Sequence, residues 1–106
     1  MGMDINAATL GSKSPFAGEA ITVSSTAIGF TAGTAYPAGN AATAAVITCA
    51  AQPIRYRVDG TDPSATVGHV MNDKDSLVIN GPASVALFKA IKDGATDAVI
   101  HVTYYR

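Results

Sequence analysis

Apolar and polar residues alternate along several short stretches of this chain. Over residues 98–105, Ala98, Ile100, Val102 and Tyr104 fall at every second position and would share one face. Residues 54–58 alternate in the same way, with arginines between the apolar side chains. A period of two residues is typical of a strand that buries one face. Both stretches are therefore predicted strands.

Shorter segments of similar character predict the remaining strands. They cover residues 21–24, which residues 27–31 continue after a bend, and residues 41–50, 68–71, 76–79 and 88–92. Residues 41–45 also suit a helix on propensity alone. We favour a strand there because the β-branched residues Val46, Ile47 and Thr48 follow without any capping signal.

The segment before the last strand allows two interpretations. Val85, Phe88 and Ile91 recur at near-helical spacing, so one longer helix through Ile91 is an alternative. We favour a single helical turn over residues 82–87, followed by a strand over residues 88–92.

Turn-forming residues separate the predicted strands. Asp59-Gly60 and Asp62-Pro63 end the strand over residues 54–58 and make residues 59–66 a stiff loop. A loop with Pro and Gly is predicted over residues 33–40, and a turn over residues 72–75. Residues 92–97 contain an Asp-Gly pair, which predicts a hairpin that joins the last two strands.

About seven short strands with almost no helix are typical of a β-sandwich. The chain has 106 residues, which is enough for one domain with its own core. We predict an all-β, antiparallel β-sandwich over residues 20–106. An extended N-terminal arm, rich in Gly, Ser and Ala, is predicted over residues 1–19.

The composition predicts a thin core. The chain has 20 Ala and 10 Gly but no Trp, so much of its hydrophobic fraction consists of small side chains. Small side chains bury little apolar area, and the free energy of unfolding rises with that area. We therefore expect modest stability for the monomer, with association supplying part of the difference.

The charge and the hydropathy of the chain argue against two classes of partner. Seven basic and eight acidic residues give a net charge of −1, and no basic run is present. Nucleic-acid binding normally requires a cationic surface, so no nucleic-acid partner is expected. No apolar run reaches the length of a membrane span, and the N-terminus lacks the features of a secretory signal. No membrane partner is expected either.

The residues that commonly carry chemistry form no recognisable site. Cys49 lies among strand-forming residues and is expected to be buried and unreactive. A single cysteine also fits assembly in a reducing cytoplasm. His69 and His101 are far apart in sequence, without a ligand partner at zinc-binding spacing. The loop aspartates are explained by turn formation. We expect no metal, no cofactor and no enzymatic activity.

Binding remains as the expected activity. Tyrosine is favoured at interfaces because its ring is apolar and its hydroxyl is polar. Tyr36, in a loop, and Tyr105, at the C-terminus, are the better interface candidates, whereas Tyr56 and Tyr104 are expected to fill the core.

Three segments resemble small virion proteins of tailed bacteriophages. They are AITVSSTAIGFTA, PIRYRVDGTDPSATVGH and FKAIKDGATDAVIHVTYY, and the likeness spans about residues 20–106. It is most specific at RYRVDGTDP and the VGH that follows. The resemblance implies a β-sandwich structural protein, on the capsid or at a head or tail junction, without catalysis.

A looser likeness connects the same hairpin to the small β-sandwich modules attached to chitobiase and hexosaminidase enzymes. Those modules share a strand followed by D-G-[ST]-D-P, which residues 59–63 match. This likeness implies a carbohydrate-binding module, although the lack of Trp counts against an aromatic platform.

We therefore expect a decoration (cement) protein that assembles in the host cytoplasm and is localised in the virion. It would bind the major capsid protein or another virion protein, as a homo-oligomer, and stabilise the assembled shell. A head–tail or tail structural protein is one alternative, and a carbohydrate-binding module on the virion surface is another. The residues expected at protein contacts are Phe16, Tyr36, Arg55, Arg57, Asp59, Asp62 and Tyr105.

Overall fold

The structure is a computed structural model, and it describes residues 12–36 and 41–106. Its elements follow one another in the order β1 (Pro15–Val23), α1 (Ala32–Ala35), β2 (Ala44–Ala50), β3 (Ile54–Arg57), β4 (His69–Met71), β5 (Ser76–Asn80), α2 (Pro82–Leu87), β6 (Lys89–Lys92) and β7 (Ala98–Tyr105).

The strands form two antiparallel sheets that pack face to face. The four-stranded sheet has the order β1-β7-β2-β5, and the three-stranded sheet has the order β4-β3-β6. All strand pairs in both sheets are antiparallel. The predicted all-β antiparallel sandwich is therefore confirmed.

Local patterns placed several elements correctly. Strand β7 covers the predicted residues, and Ala98, Ile100, Val102 and Tyr104 are buried along one face of it. Helix α2 is the single turn predicted before β6; Pro82 lies at its start, and Val85 is its buried residue. The longer helix through Ile91 is excluded, because Lys89–Lys92 forms strand β6.

The predicted hairpin between the last two strands is wrong. Strand β6 pairs with β3 in one sheet, whereas β7 lies between β1 and β2 in the other. Gly94 serves a different purpose from a hairpin turn: a Cβ atom there would lie 2.3 Å from the side-chain oxygen of Gln52 and 3.3 Å from Pro53. A larger residue here would have to displace the end of the Gln52 side chain and would press against Pro53, where the chain crosses between the sheets.

The sandwich begins earlier than residue 20. Strand β1 starts at Pro15, and Ser14 and Arg106 exchange backbone hydrogen bonds next to it, at 3.1 and 3.0 Å. Residues 15–19, predicted as part of the arm, therefore belong to the four-stranded sheet. Residues 1–11 of the predicted arm lie outside the described residues.

The predicted loop over residues 33–40 begins with a helical turn, α1, and its residues 37–40 lie outside the described part of the chain. Before it, Ile28 exchanges hydrogen bonds with Ala90 at 3.0 and 2.9 Å, as an isolated bridge. The chain thus leaves β1, touches the free side of β6 and returns to begin β2. The predicted continuation of the first strand over residues 27–31 is reduced to this bridge.

A file of aromatic rings crosses the core from one sheet to the other. Ring centroids are separated by 6.5 Å between Phe16 and Tyr104, 5.4 Å between Tyr104 and Phe30, 4.5 Å between Phe30 and Phe88, and 6.0 Å between Phe88 and Tyr56. Edge-to-face and stacked pairs at these separations stabilise the fold beyond the area they bury.

Small residues surround this file, as the composition predicts. Six of the 19 buried hydrophobic residues in the described chain are alanines. The largest fully buried side chains are Tyr104 and Phe88, so the aromatic file supplies much of the core's volume.

Candidate interaction surface

The segment that carries the resemblance forms a hairpin of β3 and β4. Ile54, Arg55 and Tyr56 pair with Met71, Val70 and His69, and residues 58–68 connect the two strands. Two side chains fix this loop from within. Asp59 accepts a hydrogen bond from the Thr61 amide at 3.1 Å, and the Ser64 hydroxyl accepts one from the Val67 amide at 3.1 Å. Bonds of this kind are how Asp and Ser stabilise turns.

Arg55 anchors the hairpin to the rest of the three-stranded sheet. Its Nε and Nη2 atoms donate to Asp93 Oδ1 at 3.2 and 3.1 Å, and its Nη1 atom donates to the Gly68 carbonyl at 3.2 Å. The side chains of Arg55 and Asp93 are only 19% and 23% exposed, so this ion pair is more than a loose surface contact.

The other charges of the hairpin are also paired within the chain. Arg57 binds both carboxylate oxygens of Asp59, and Lys89 lies 3.0 Å from Asp62. The hydrogen bond from Arg57 holds the pKa of the Asp59 carboxyl well below its ordinary value, and the same contact raises the pKa of Arg57. The charges of the acidic and basic side chains predicted as contacts on the hairpin are thus neutralised by ion pairs within the chain.

The seven predicted contact residues fall into separate places. Arg55, Arg57, Asp59 and Asp62 lie together on the hairpin, as their sequence positions imply. Phe16 and Tyr105 lie at the end of the four-stranded sheet where Pro15 pairs with Tyr105. Their role as interface residues stays a prediction.

Two of the predicted contact residues, Phe16 and Tyr36, make extensive contacts inside the chain. Phe16 packs against Tyr104, and the Arg106 guanidinium lies 4.2 Å from the centre of its ring. The Tyr36 hydroxyl donates to the Val85 carbonyl at 2.8 Å, and partial burial raises the pKa of Tyr36. Both side chains are half-buried and contribute to the edge of the core.

Sequence reasoning did not find a cleft between the two sheets. It has a volume of about 250 Å³ and opens between the edge strand β5 and the hairpin. Its apolar lining includes Tyr56, Val58 and Leu77, and His69 and Ser84 add polar groups. The period-two pattern places Tyr56 on an inner face, but nothing local to either strand shows that β5 lies opposite.

A second, wider depression of about 490 Å³ lies beside the hairpin loop, and Pro63, Ser64, Lys92 and Asp93 are among its lining residues. No aromatic side chain lines it, so it offers no ring on which a planar ligand could stack. The cleft beside Tyr56 is therefore the better candidate for a small ligand.

Cys49 has a structural role. Cys49 is buried, and its thiol donates to the Gln52 carbonyl at 3.0 Å. Burial raises the pKa of this thiol, and the nearby carboxylates of Asp73 and Asp75 raise it further. A thiol held protonated in this way is a poor nucleophile.

Residues 12–36 and 41–106 contain no cluster of three or more His, Cys, Asp or Glu side chains placed to hold a metal ion. Within the same ranges, neither α1 nor α2 is long and apolar enough to cross a membrane.

Comparisons of the chain with protein-family models, curated proteins and solved structures found no match.

Proposed function

We propose that this chain is a structural protein of a tailed-phage virion that decorates the outer surface of the capsid. The observation that carries the proposal is the resemblance of PIRYRVDGTDPSATVGH to virion proteins, in a segment that folds as the β3–β4 hairpin. Because its charged side chains are already paired, the hairpin can contact a neighbour without reorganising.

The physical character of the domain supports the same role. An alanine-rich core gives a small sandwich limited stability of its own. Binding to the assembled shell, and not to its dissociated subunits, would stabilise both partners by mass action. We propose the major capsid protein as the partner that binds the hairpin.

Electron microscopy of the assembled particle tests this role directly. If the chain is a decoration protein, a reconstruction shows copies arrayed over the whole shell. Copies confined to one vertex would contradict decoration and support the head–tail alternative. Absence of the chain from purified particles would contradict both virion roles.

A binding assay tests the hairpin itself. Recombinant chain should co-sediment with shells that lack it and raise the temperature at which they rupture. The double variant Arg57→Ala/Asp59→Ala removes an ion pair without changing net charge, and we expect it to weaken shell binding at least tenfold. Asp73→Ala/Lys74→Ala, in the turn before β5, is the matched control and should bind normally. Equal binding by both would refute the hairpin as the contact.

The cleft beside Tyr56 favours one second candidate, carbohydrate binding. A ring with polar neighbours such as His69 and Ser84 can bind the apolar and hydroxyl-bearing faces of a sugar. At about 250 Å³, the cleft has room for one small ring rather than an oligosaccharide. Titration with monosaccharides, followed by NMR, tests this candidate. Shifts at His69 and Ser84 in the wild type, with a weaker shift at Ser84 in the variant His69→Ala, would support it, and no shifts at millimolar sugar would refute it.

A further inference from the structure

The four-stranded sheet carries almost no charge. Glu19 is the only charged residue in β1, β2, β5 and β7. Its carboxylate points inward, where it accepts hydrogen bonds from Tyr104 and Thr31. By contrast, β3 and β6 of the other sheet carry two Arg and two Lys.

The strand register shows which residues share the outer face of this sheet. One row across it consists of Ala20, His101, Thr48 and Ser76. The adjacent row consists of Gly18, Thr103, Val46 and Val78. None of these residues is fully buried, and His101 is the titratable group among them. We call the surface formed by these two rows and Val99 the uncharged face.

Such a face is unusual for the outside of a small sandwich. Soluble domains generally carry charged side chains of both signs across their surfaces, and charges on exposed strands oppose association. A charged partner would lose hydration here without gaining an ion pair. A second copy of the same face imposes no such cost, because it also lacks charge.

We infer that the uncharged face is the contact between two copies of this chain, which pack sheet against sheet around a two-fold axis. A two-fold contact uses the same patch on both copies, so the patch must complement itself. In β-sandwiches generally, two sheets pack face to face about 10 Å apart, and two uncharged faces could pack in the same way. The inference concerns the isolated chain and does not depend on the virion role.

The size of the face sets the expected strength of the dimer. Four strands about 4.8 Å apart, with several exposed residues along each, give a flat area of roughly 400–500 Å² per copy. Two copies then bury on the order of 1,000 Å², near the lower limit for a specific interface. We therefore expect a dimer that dissociates at micromolar concentrations.

Two measurements on the full chain test the dimer. Sedimentation velocity from about 1 to 500 µM should show a monomer becoming a dimer. Over the same range, amide NMR signals of Val46, Val99 and Thr103 should shift, while Val70, exposed on the other sheet, should not. A monomer at every concentration, or shifts centred on Val70, would overturn the inference.

Matched charge variants test the location of the contact. His101→Glu places a carboxylate at the centre of the uncharged face, and two copies would bring the like charges together. We expect its dissociation constant to rise at least tenfold, because like charges that face each other across an interface repel. Val70→Glu adds the same charge to an exposed strand of the other sheet and should leave the dimer unchanged. Both replaced side chains are exposed, so both variants should fold.

Thr48→Lys is a second variant on the same row and should also weaken the dimer. A dimer that survives both His101→Glu and Thr48→Lys is held by another surface, such as the edge of β5, and would refute the inference.

Discussion

The Tyr104 hydroxyl reaches from the apolar core to a polar cluster at its margin, where Glu19 is half-buried and Thr31 is exposed. It donates to the Glu19 carboxylate, which also accepts a 2.6 Å hydrogen bond from the Thr31 hydroxyl. Tyr104→Phe keeps the ring in the aromatic file but removes this donor. A hydrogen bond to a charged group stabilises a protein by about 1.5–3 kcal/mol. We expect Tyr104→Phe to lower the free energy of unfolding by about 2 kcal/mol, measured by urea denaturation.

The adjacent tyrosine provides the control for that variant. Tyr105 alternates to the outer face, and no hydrogen bond from its hydroxyl is found among the described residues. Tyr105→Phe should therefore change the urea midpoint very little. Equal effects of the two variants would show that the cluster around Glu19 contributes nothing specific.

Thr43 presents the opposite situation. Its side-chain oxygen is buried, and among residues 12–36 and 41–106 it has no hydrogen-bond partner. A buried polar atom without a partner costs about 1–3 kcal/mol. Thr43→Val replaces the hydroxyl with a methyl group of similar size, so we expect the free energy of unfolding to rise by about 1 kcal/mol. A thermal melt that shows no gain, or a loss, would mean that this oxygen is satisfied in solution.

At the scale of elements, the β3–β4 hairpin depends on Gly68. Its φ angle is +131°, and a Cβ atom there would lie 2.8 Å from Arg55 Cγ and 3.1 Å from the Tyr56 carbonyl. Alanine at this position would be strained by its backbone angle and would also displace the arginine that anchors the hairpin to Asp93. We expect Gly68→Ala to destabilise the domain by at least about 1–2 kcal/mol, measured by urea denaturation.

Gly33 provides a matched control for the same substitution. It lies in α1 with an ordinary φ angle, and a Cβ atom there meets nothing within 4 Å. Gly33→Ala should be neutral or slightly stabilising, because alanine favours the helix and restricts the unfolded chain. If Gly68→Ala is equally harmless, the hairpin is more adaptable than its contacts indicate.

The elements also show what local sequence can predict. Strand β7 and helix α2 were predicted correctly because alternation, a starting Pro and a short apolar stretch are properties of neighbouring residues. The hairpin between β6 and β7 was predicted wrongly because Asp93-Gly94 lies where the chain crosses from one sheet to the other, close to Gln52 and Pro53. A turn dipeptide shows that the chain bends, but it does not determine which strand follows as a partner.

The candidate site was harder to predict for the same reason. The sequence places the aspartates and arginines of the hairpin close to one another, but Arg55 binds Asp93 and Asp62 binds Lys89, which lie 38 and 27 residues away. The uncharged face depends on four strands that are separated in sequence. Only their register reveals that its residues lie together.

At the scale of the whole molecule, burial of weakly acidic groups should make the domain sensitive to alkali. Burial raises the pKa of Tyr104 above its ordinary value, and its hydrogen bond to Glu19 raises it further. Burial likewise raises the pKa values of Tyr36, Tyr56 and Cys49. The unfolded chain loses these protons near the ordinary values, about 8.5 for Cys and 10 for Tyr. The folded chain retains them.

Between those ordinary values and the raised ones, the unfolded state therefore binds fewer protons than the folded state, and stability falls as pH rises. The contribution of these groups is complete below about pH 8.5 and is lost progressively above it. We expect the urea midpoint to be similar at pH 7 and 8 and to decrease from pH 9 to 10.5. Tyr104→Phe removes the most strongly shifted of the four groups, so its midpoint should decrease less over the same interval. A wild-type midpoint that is constant to pH 10.5 would mean that these side chains ionise as readily in the folded sandwich as in the unfolded chain.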